Sequence, residues 1–215
     1  MSQRGLFITL EGGEGAGKST ASAYIRDALA DTNIELLCTR EPGGTLLGER
    51  LRDTLLAPSE VSINPMAELL LIFAARAQHI EECIAPALRA GQWVLCDRFT
   101  DASFAYQGAG RNLGAAPVST LEELVQGELR PDLTLLLDVP ADAGLERARG
   151  RGALDRFEQE DLAFFERVRQ AYLSRAARSS GRYRVIDAAA DLDAVQGELQ
   201  RVVDDLINCP PQFDN

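Results

Sequence analysis

The sequence predicts an α/β fold in which a parallel sheet is covered by helices on both faces, built as one domain. Three observations predict it. Short apolar runs alternate along the chain with stretches of helical periodicity. Those runs are apolar at nearly every position, the pattern of strands buried on both sides. The chain has 215 residues, 46% hydrophobic and 26% charged, enough for one full core and unlike a disordered composition.

Each element is justified locally. Leu6–Leu10 reads as the first strand, and a helix with Tyr24, Ile25, Ala28 and Leu29 on one side follows from Ser19. Ile34–Thr39 is the second strand and ends in the turn Arg40-Glu41-Pro42-Gly43-Gly44-Thr45. A helix is expected near Leu46–Leu56, then a loop from Pro58 to Pro65. Pro65 suits the first turn of a further helix that runs to about Ala90 and stops at Gly91. Trp93–Asp97 is the third strand. Two helical stretches follow, near Ala102–Gln107 and Val118–Leu129, around the loop Gly108–Gly114. Leu133–Asp138 and Tyr183–Ile186 are the fourth and fifth strands. Between them lie a short helix from about Ala141, an arginine-glycine segment at 147–156 and a long helix near Glu158–Arg178. Leu192, Val195, Leu199, Val202, Val203 and Leu206 mark the last helix, with 208–215 as a frayed tail.

Charge and cysteine usage narrow the function classes. With 22 basic and 33 acidic residues the net charge is −11, which argues against a nucleic-acid partner. Cys38, Cys83, Cys96 and Cys209 are scattered with no C-x-x-C pair, so a zinc site is not expected. Cys38 and Cys96 fall inside strands expected to be buried, which suits reduced thiols in the cytoplasm. Met1–Arg4 leads straight into a strand, so no secretory leader is expected, and Leu69–Ala75 is too short to span a membrane.

Gly12-Gly13-Glu14-Gly15-Ala16-Gly17-Lys18-Ser19 matches G-x-x-x-x-G-K-[ST], and it sits between a strand and a helix, where that pattern is a phosphate-binding loop. Its glycines permit positive φ and close approach. Its amides and the helix N-terminus form a nest for an anion. Lys18 would reach the outer phosphates and the Ser19 hydroxyl would ligate Mg²⁺. Ligands of parallel sheets bind at the carboxyl ends of strands, which brings Asp97 and Arg98 to the same rim. Asp97 could complete the magnesium shell and Arg98 could clamp an anionic substrate. Arg76 stands in a very apolar helix and needs a partner. Phe73, three residues earlier, shares its face and could stack on a planar heterocycle beside it; the pair reads equally as a core ring and an arginine that reaches solvent along its stem. Arg147, Arg149 and Arg151, broken by Gly150 and Gly152, read either as a mobile flap over a triphosphate or as a solvated loop.

Beyond the phosphate loop, five stretches carry a resemblance: Thr39–Thr45, Asp97-Arg98-Phe99, Ala105-Tyr106-Gln107-Gly108, Arg130-Pro131-Asp132-Leu133-Thr134 and Leu154–Glu160. With them the chain resembles bacterial thymidylate kinases along nearly its whole length. The resemblance implies a three-layer P-loop kinase fold with a five-stranded parallel sheet and an arginine-rich lid at about 147–156. It implies transfer of the γ-phosphoryl group of ATP to dTMP with magnesium, and a homodimer in the cytoplasm. Gly12 through Thr20 match the ATP-binding segment. Glu14 matches the carboxylate that addresses the sugar 3′-OH and the magnesium region. Arg98 matches the arginine between donor and acceptor phosphates, and Arg76 the one that reads thymine. Ser103, Tyr106 and Gln107 match the wall around base and deoxyribose, with Tyr106 set against a 2′-OH. Arg40, Glu41 and Arg52 match the rim near phosphate and sugar. The loop lacks an arginine, which assigns the catalytic charge to the lid, at Arg149 and Arg151. Two departures stand out. Many relatives carry the stacking Phe four residues before the thymine-reading Arg, where this chain has Ile72, and many carry a larger residue at Gly13. A kinase for another nucleoside monophosphate, or a P-loop ATPase switch, remains as an alternative.

Overall fold

Phe7–Glu11 (β1) is the spine of the molecule, because a strand with no exposed residue must have a neighbour on every side. The computed structural model describes residues 4–57, 62–150, 155–179 and 181–209. Among them, Trp93–Asp97 (β3) and Leu133–Asp138 (β4) flank β1, with Leu36–Arg40 (β2) outside β3 and Tyr183–Asp187 (β5) outside β4. All pairings are parallel, and the order is β2-β3-β1-β4-β5. The connections leaving β1 and β4 run toward opposite edges, so a crevice opens at the carboxyl ends of the central strands.

The period-two alternation of β1 assigns its side chains to two layers. Ile8 and Leu10 point to one face, where they pack with Ile25 and Leu29 of α1 (Lys18–Leu29) and Leu199 and Val203 of α9 (Leu192–Asn208). Phe7 points to the other and packs with Val94, Cys96 and Phe99. Thr9 and Glu11 share that second face, and Glu11 ends the strand beneath the crevice. Also on that side, α2 (Leu46–Leu56) packs on α3 (Pro65–His79). α3 is followed by α4 (Ala85–Arg89), α5 (Thr100–Ser103) and α6 (Ala115–Gln126), then α7 (Ala141–Arg149) and α8 (Leu162–Arg178) later in the chain.

Several expectations are corrected. The helix expected from Pro65 to about Ala90 is three pieces: α3, a π-helical turn at Ile80–Ile84, and α4, with the stop at Gly91 (φ +84°) as read. The stretch read as Ala102–Gln107 is α5 followed by a second π-helical segment, Phe104–Gly110. α6 begins and ends about one turn earlier than expected, at Gly127 with φ +55°. α8 begins at Leu162, because Asp161 caps it by accepting from the Phe164 amide. The preceding residues form a turn in which Asp155 accepts from the amides of Phe157 and Glu158. Arg147 and Arg149, read as part of a broken segment, close the last turn of α7. Cys38 is exposed rather than buried, since β2 is an edge strand with one neighbour. Residues 58–61 of the 58–65 loop, residues 151–154 with Arg151, and residues 210–215 of the tail lie outside the described residues.

Candidate active site

The phosphate loop begins where β1 leaves the sheet. Gly12, Gly15 and Gly17 take φ values of +140°, +66° and +87°. A Cβ on Gly12 would stand 2.4 Å from the Leu137 carbonyl, and one on Gly15 would stand 2.0 Å from the Gly144 carbonyl, so β4 and α7 press against this loop. A Cβ on Gly13 meets nothing within 4 Å, so the space for a larger residue is there. Lys18 is buried, and its Nζ donates to the carbonyls of Gly12 (3.2 Å) and Gly13 (2.9 Å). Burial, followed by the charge of Arg98, pulls its pKa below the ordinary lysine value. Ser19 and Thr20 are exposed at the N-terminus of α1. Asp97, at the end of β3, is paired in register with Leu10 and keeps a buried Oδ1 without a protein partner among the described residues.

Arg98 follows directly and holds φ at +68°, a left-handed conformation that costs a non-glycine residue energy. Its amide donates to the Leu10 carbonyl at 2.9 Å, and its guanidinium lies over the Tyr106 ring, 4.6 Å from the centroid. Arg98 Nη2 donates to Glu14 Oε1 at 2.6 Å and Nη1 donates to the Gly12 carbonyl at 3.1 Å. Tyr106 donates its hydroxyl to the same Glu14 oxygen at 2.8 Å. Burial works against the Arg98 charge, but Glu14 leads a set of groups that hold its pKa well above the ordinary value. The loop carboxylate, the β3 arginine and the tyrosine from the second π-helical segment thus form one cluster.

On one side of the loop this cluster opens into a cleft. Of the residues expected around substrate, Glu14, Glu41, Arg52, Arg76, Arg98, Ser103, Tyr106 and Gln107 all line it. Two of them carry buried polar atoms with no partner among the described residues, Arg76 Nη1 and Ser103 Oγ. Arg76 is 1% exposed; its Nε donates to Glu41 Oε2 at 2.7 Å, and its guanidinium lies between the rings of Phe73 (4.5 Å) and Phe99 (4.9 Å). Glu41's other oxygen meets His79 Nδ1 at 3.0 Å, and His79 Nε2 meets Thr39 Oγ1 at 2.7 Å. Glu41 therefore both lines the cleft and holds Arg76. Arg52 Nη1 donates to the Pro42 carbonyl at 2.9 Å.

Phe73 is where the expectation fails. It is 2% exposed and packs with Leu69, Phe104 and Val118 beneath Arg76, so it supports the guanidinium rather than facing the cleft. Ile72, on the stripe that contains Arg76, faces the cleft instead. Leu56, Phe99, Asp155 and Phe157 also form its wall, and the sequence reading did not single them out as such. The signal available for two of them was the Leu154–Glu160 motif. His79, the only histidine, and the buried Glu68 and Tyr172 were also missed.

A second groove lies on the other side of the loop, between α1 and α9. Gly15, Gly17, Thr20 and Tyr24 form one wall, Leu192, Val195 and Gln196 the other. Arg147 crosses it to donate to the Ala188 carbonyl at 2.8 Å. Arg149 is exposed at the end of α7.

Comparison with known proteins agrees with this geometry. The family model described as thymidylate kinase matches residues 10–199. The chain is 59% identical to the thymidylate kinase of Pseudomonas fluorescens over 203 residues, 94% of this chain and 97% of that one. It is 54% identical to that of Alcanivorax borkumensis over 202 residues, with the same coverage. The crystal structure of thymidylate kinase from Ehrlichia chaffeensis superposes with a TM-score of 0.76 at 32% identity, covering 94% of this chain and 99% of that one. With a parallel sheet in this order, a phosphate loop between two cavities and relatives matched from end to end, this chain belongs to the thymidylate kinase family.

Proposed function

We infer that this chain transfers the γ-phosphoryl group of ATP to dTMP, giving dTDP and ADP on the route to dTTP. The observation that carries the choice of acceptor is the pair of unpartnered buried atoms, Arg76 Nη1 and Ser103 Oγ, on one wall of the cleft. A guanidinium N–H is a donor for a carbonyl such as thymine O4, and a hydroxyl can accept from N3–H. Ile72 and Phe99 give that slot apolar walls. Arg98 lies between the slot and the phosphate loop, so an acceptor phosphate beside it faces the donor.

Catalysis in this reading is positioning and charge neutralisation without a covalent intermediate. The amides of Gly12–Thr20 and the N-terminus of α1 bind the donor phosphates, and Lys18 exchanges two loop carbonyls for phosphate oxygens. The adenosine lies in the groove between α1 and α9. Arg98 bridges the phosphates of donor and acceptor. Glu14, held by Arg98 and Tyr106, addresses the sugar 3′-OH, and Tyr106 closes the space a 2′-OH would need. Arg52 and Glu41 complete the rim, and Gln107 the sugar wall. Arg149 supplies charge from α7, with Arg151, outside the described residues, as its companion. Magnesium, when bound, neutralises the phosphates. The free Oδ1 of Asp97 and the exposed Ser19 hydroxyl are the oxygen donors that suit it, since such an ion keeps waters and phosphates as most of its ligands. Among the described residues no helix is long and apolar enough to cross a membrane, and we place the enzyme in the cytoplasm as a homodimer.

A panel of dTMP, dUMP, UMP, CMP and AMP with ATP tests the assignment. We expect dTMP to be preferred and Arg149→Ala to lower kcat far more than it raises the dTMP KM. Preference for AMP or CMP, or ATP consumption that ignores the acceptor, overturns the assignment. A normal kcat in the variant overturns the role of Arg149.

A further inference from the structure

Glu68 is a carboxylate with no exposed surface, on the buried side of α3. It lies one turn before Ile72 and two before Arg76, so the three form a single stripe along the cleft side of α3. Arg76 carries the unpaired base-facing nitrogen and Ile72 the apolar wall. Glu68 makes no lining contact of its own, yet it gathers partners from two other elements. Gln107, on the cleft wall, donates Nε2 to its Oε1 at 2.8 Å. Arg111, just after the same π-helical segment, donates Nε to both oxygens at 3.3 and 3.2 Å. Arg156, from the Asp155–Glu160 turn, pairs through Nη2 with Oε2 at 2.7 Å.

Among the described residues, the Arg156–Glu68 pair is a direct charged tie between the turn and α3. The turn's further anchors are the Arg156 Nε donating to the Leu55 carbonyl at 2.7 Å and the Arg156 amide donating to the Leu56 carbonyl at 3.1 Å, both at the end of α2. Arg156 also lies over the Phe157 ring, 4.4 Å from its centroid, while Arg111 reaches forward to Glu160 in the same turn. Asp155 and Phe157 face the cleft. Glu68 therefore touches both the turn, through Arg156, and the cleft wall, through Gln107. The charges close as a set: Glu68 and Glu160 against Arg111 and Arg156. Removing Glu68 takes the carboxylate partner from the mostly buried Arg156 and leaves Arg111 with Glu160, which carries a desolvation cost.

We propose that Glu68 is a positioning residue that couples the acceptor cleft to the Asp155–Glu160 turn, so that an acceptor seated against Gln107 fixes the turn that follows the arginine segment. This rests on the reading of the cleft as the dTMP site.

The test uses the full chain with dTMP as the probe, in wild type, Glu68→Gln and Arg156→Lys. Calorimetric titration gives dTMP affinity, and hydrogen exchange follows the amides of residues 155–160 with and without dTMP. In wild type, dTMP should raise protection across 155–160. Glu68→Gln should bind dTMP about ten-fold more weakly, leave the ATP KM within about two-fold, and lose the dTMP-dependent protection. Arg156→Lys keeps the charge but cannot serve the carboxylate and the Leu55 carbonyl together, and should show the same pattern in weaker form. It decides the matter if Glu68→Gln does not fold. Wild-type affinity and protection in the variants overturn the proposal. So does weaker binding with protection intact, or a parallel rise in the ATP KM, since either marks a merely structural residue. Failure of wild type to bind dTMP overturns the site reading instead.

Discussion

At the end of β1, Glu11 holds a fully buried carboxyl that accepts from the Phe99 amide at 2.8 Å and the Tyr172 hydroxyl at 2.8 Å. Burial, reinforced by the Asp101 carboxylate, pushes its pKa up to about 8. The sign of the consequence follows from proton counting. Between the ordinary carboxylate range and about pH 8 the folded chain holds a proton that the unfolded chain has released, so stability falls as pH rises through that window. Glu11→Gln should flatten this fall: in urea unfolding from about pH 5 to about pH 8, the variant's stability should decline less steeply than wild type. Parallel profiles would show that Glu11 does not titrate there. Residue chemistry was readable from sequence where a side chain contradicted its neighbourhood, as with Arg76 in an apolar helix. Phe73 was misread because adjacent helical positions are rotated by about 100°, which separates a ring under the guanidinium from one facing the cleft.

Among the elements, α7 meets the phosphate loop through glycine. A Cβ on Gly144 would stand 2.4 Å from the Glu14 carbonyl, with the Val139 side chain at 3.2 Å. Gly144→Ala should therefore displace the loop at the residue that holds Arg98. We expect a raised ATP KM, about ten-fold or more, with a loss of stability of about 1–3 kcal/mol. Steady-state kinetics with ATP varied at saturating dTMP checks this, and an unchanged ATP KM would refute it. Strand positions and most helix starts were legible because Pro65, Gly91 and the apolar runs act locally. The two π-helical segments were not. Their extra residue per turn leaves no distinctive apolar period in so short a stretch, and the packing of neighbouring elements selects it. The second one matters for function, since it carries Tyr106 and Gln107.

For the whole molecule, Leu46 (73% exposed) and Leu47 on α2 stand with Met66 and Leu70 (51%) on α3 as exposed large apolar side chains on two helices that pack together. We propose that these side chains contribute to the contact of the inferred homodimer, an isologous surface that a second copy would cover. Sedimentation should give twice the chain mass for wild type and the monomer mass for Leu47→Glu with Leu70→Glu; a monomeric wild type refutes the assignment. The sequence by itself determined the fold class, the phosphate loop and most residues that meet in the cleft. Loop glycines, apolar runs and charges in apolar settings each carry their constraint within a few residues. Only the tertiary structure decided that Ile72 and not Phe73 faces the cleft, that Glu41 pairs with Arg76, and that Glu68 joins Gln107 to the Asp155–Glu160 turn. Those outcomes depend on which elements are packed side by side, and long-range packing leaves no local mark in the order of residues.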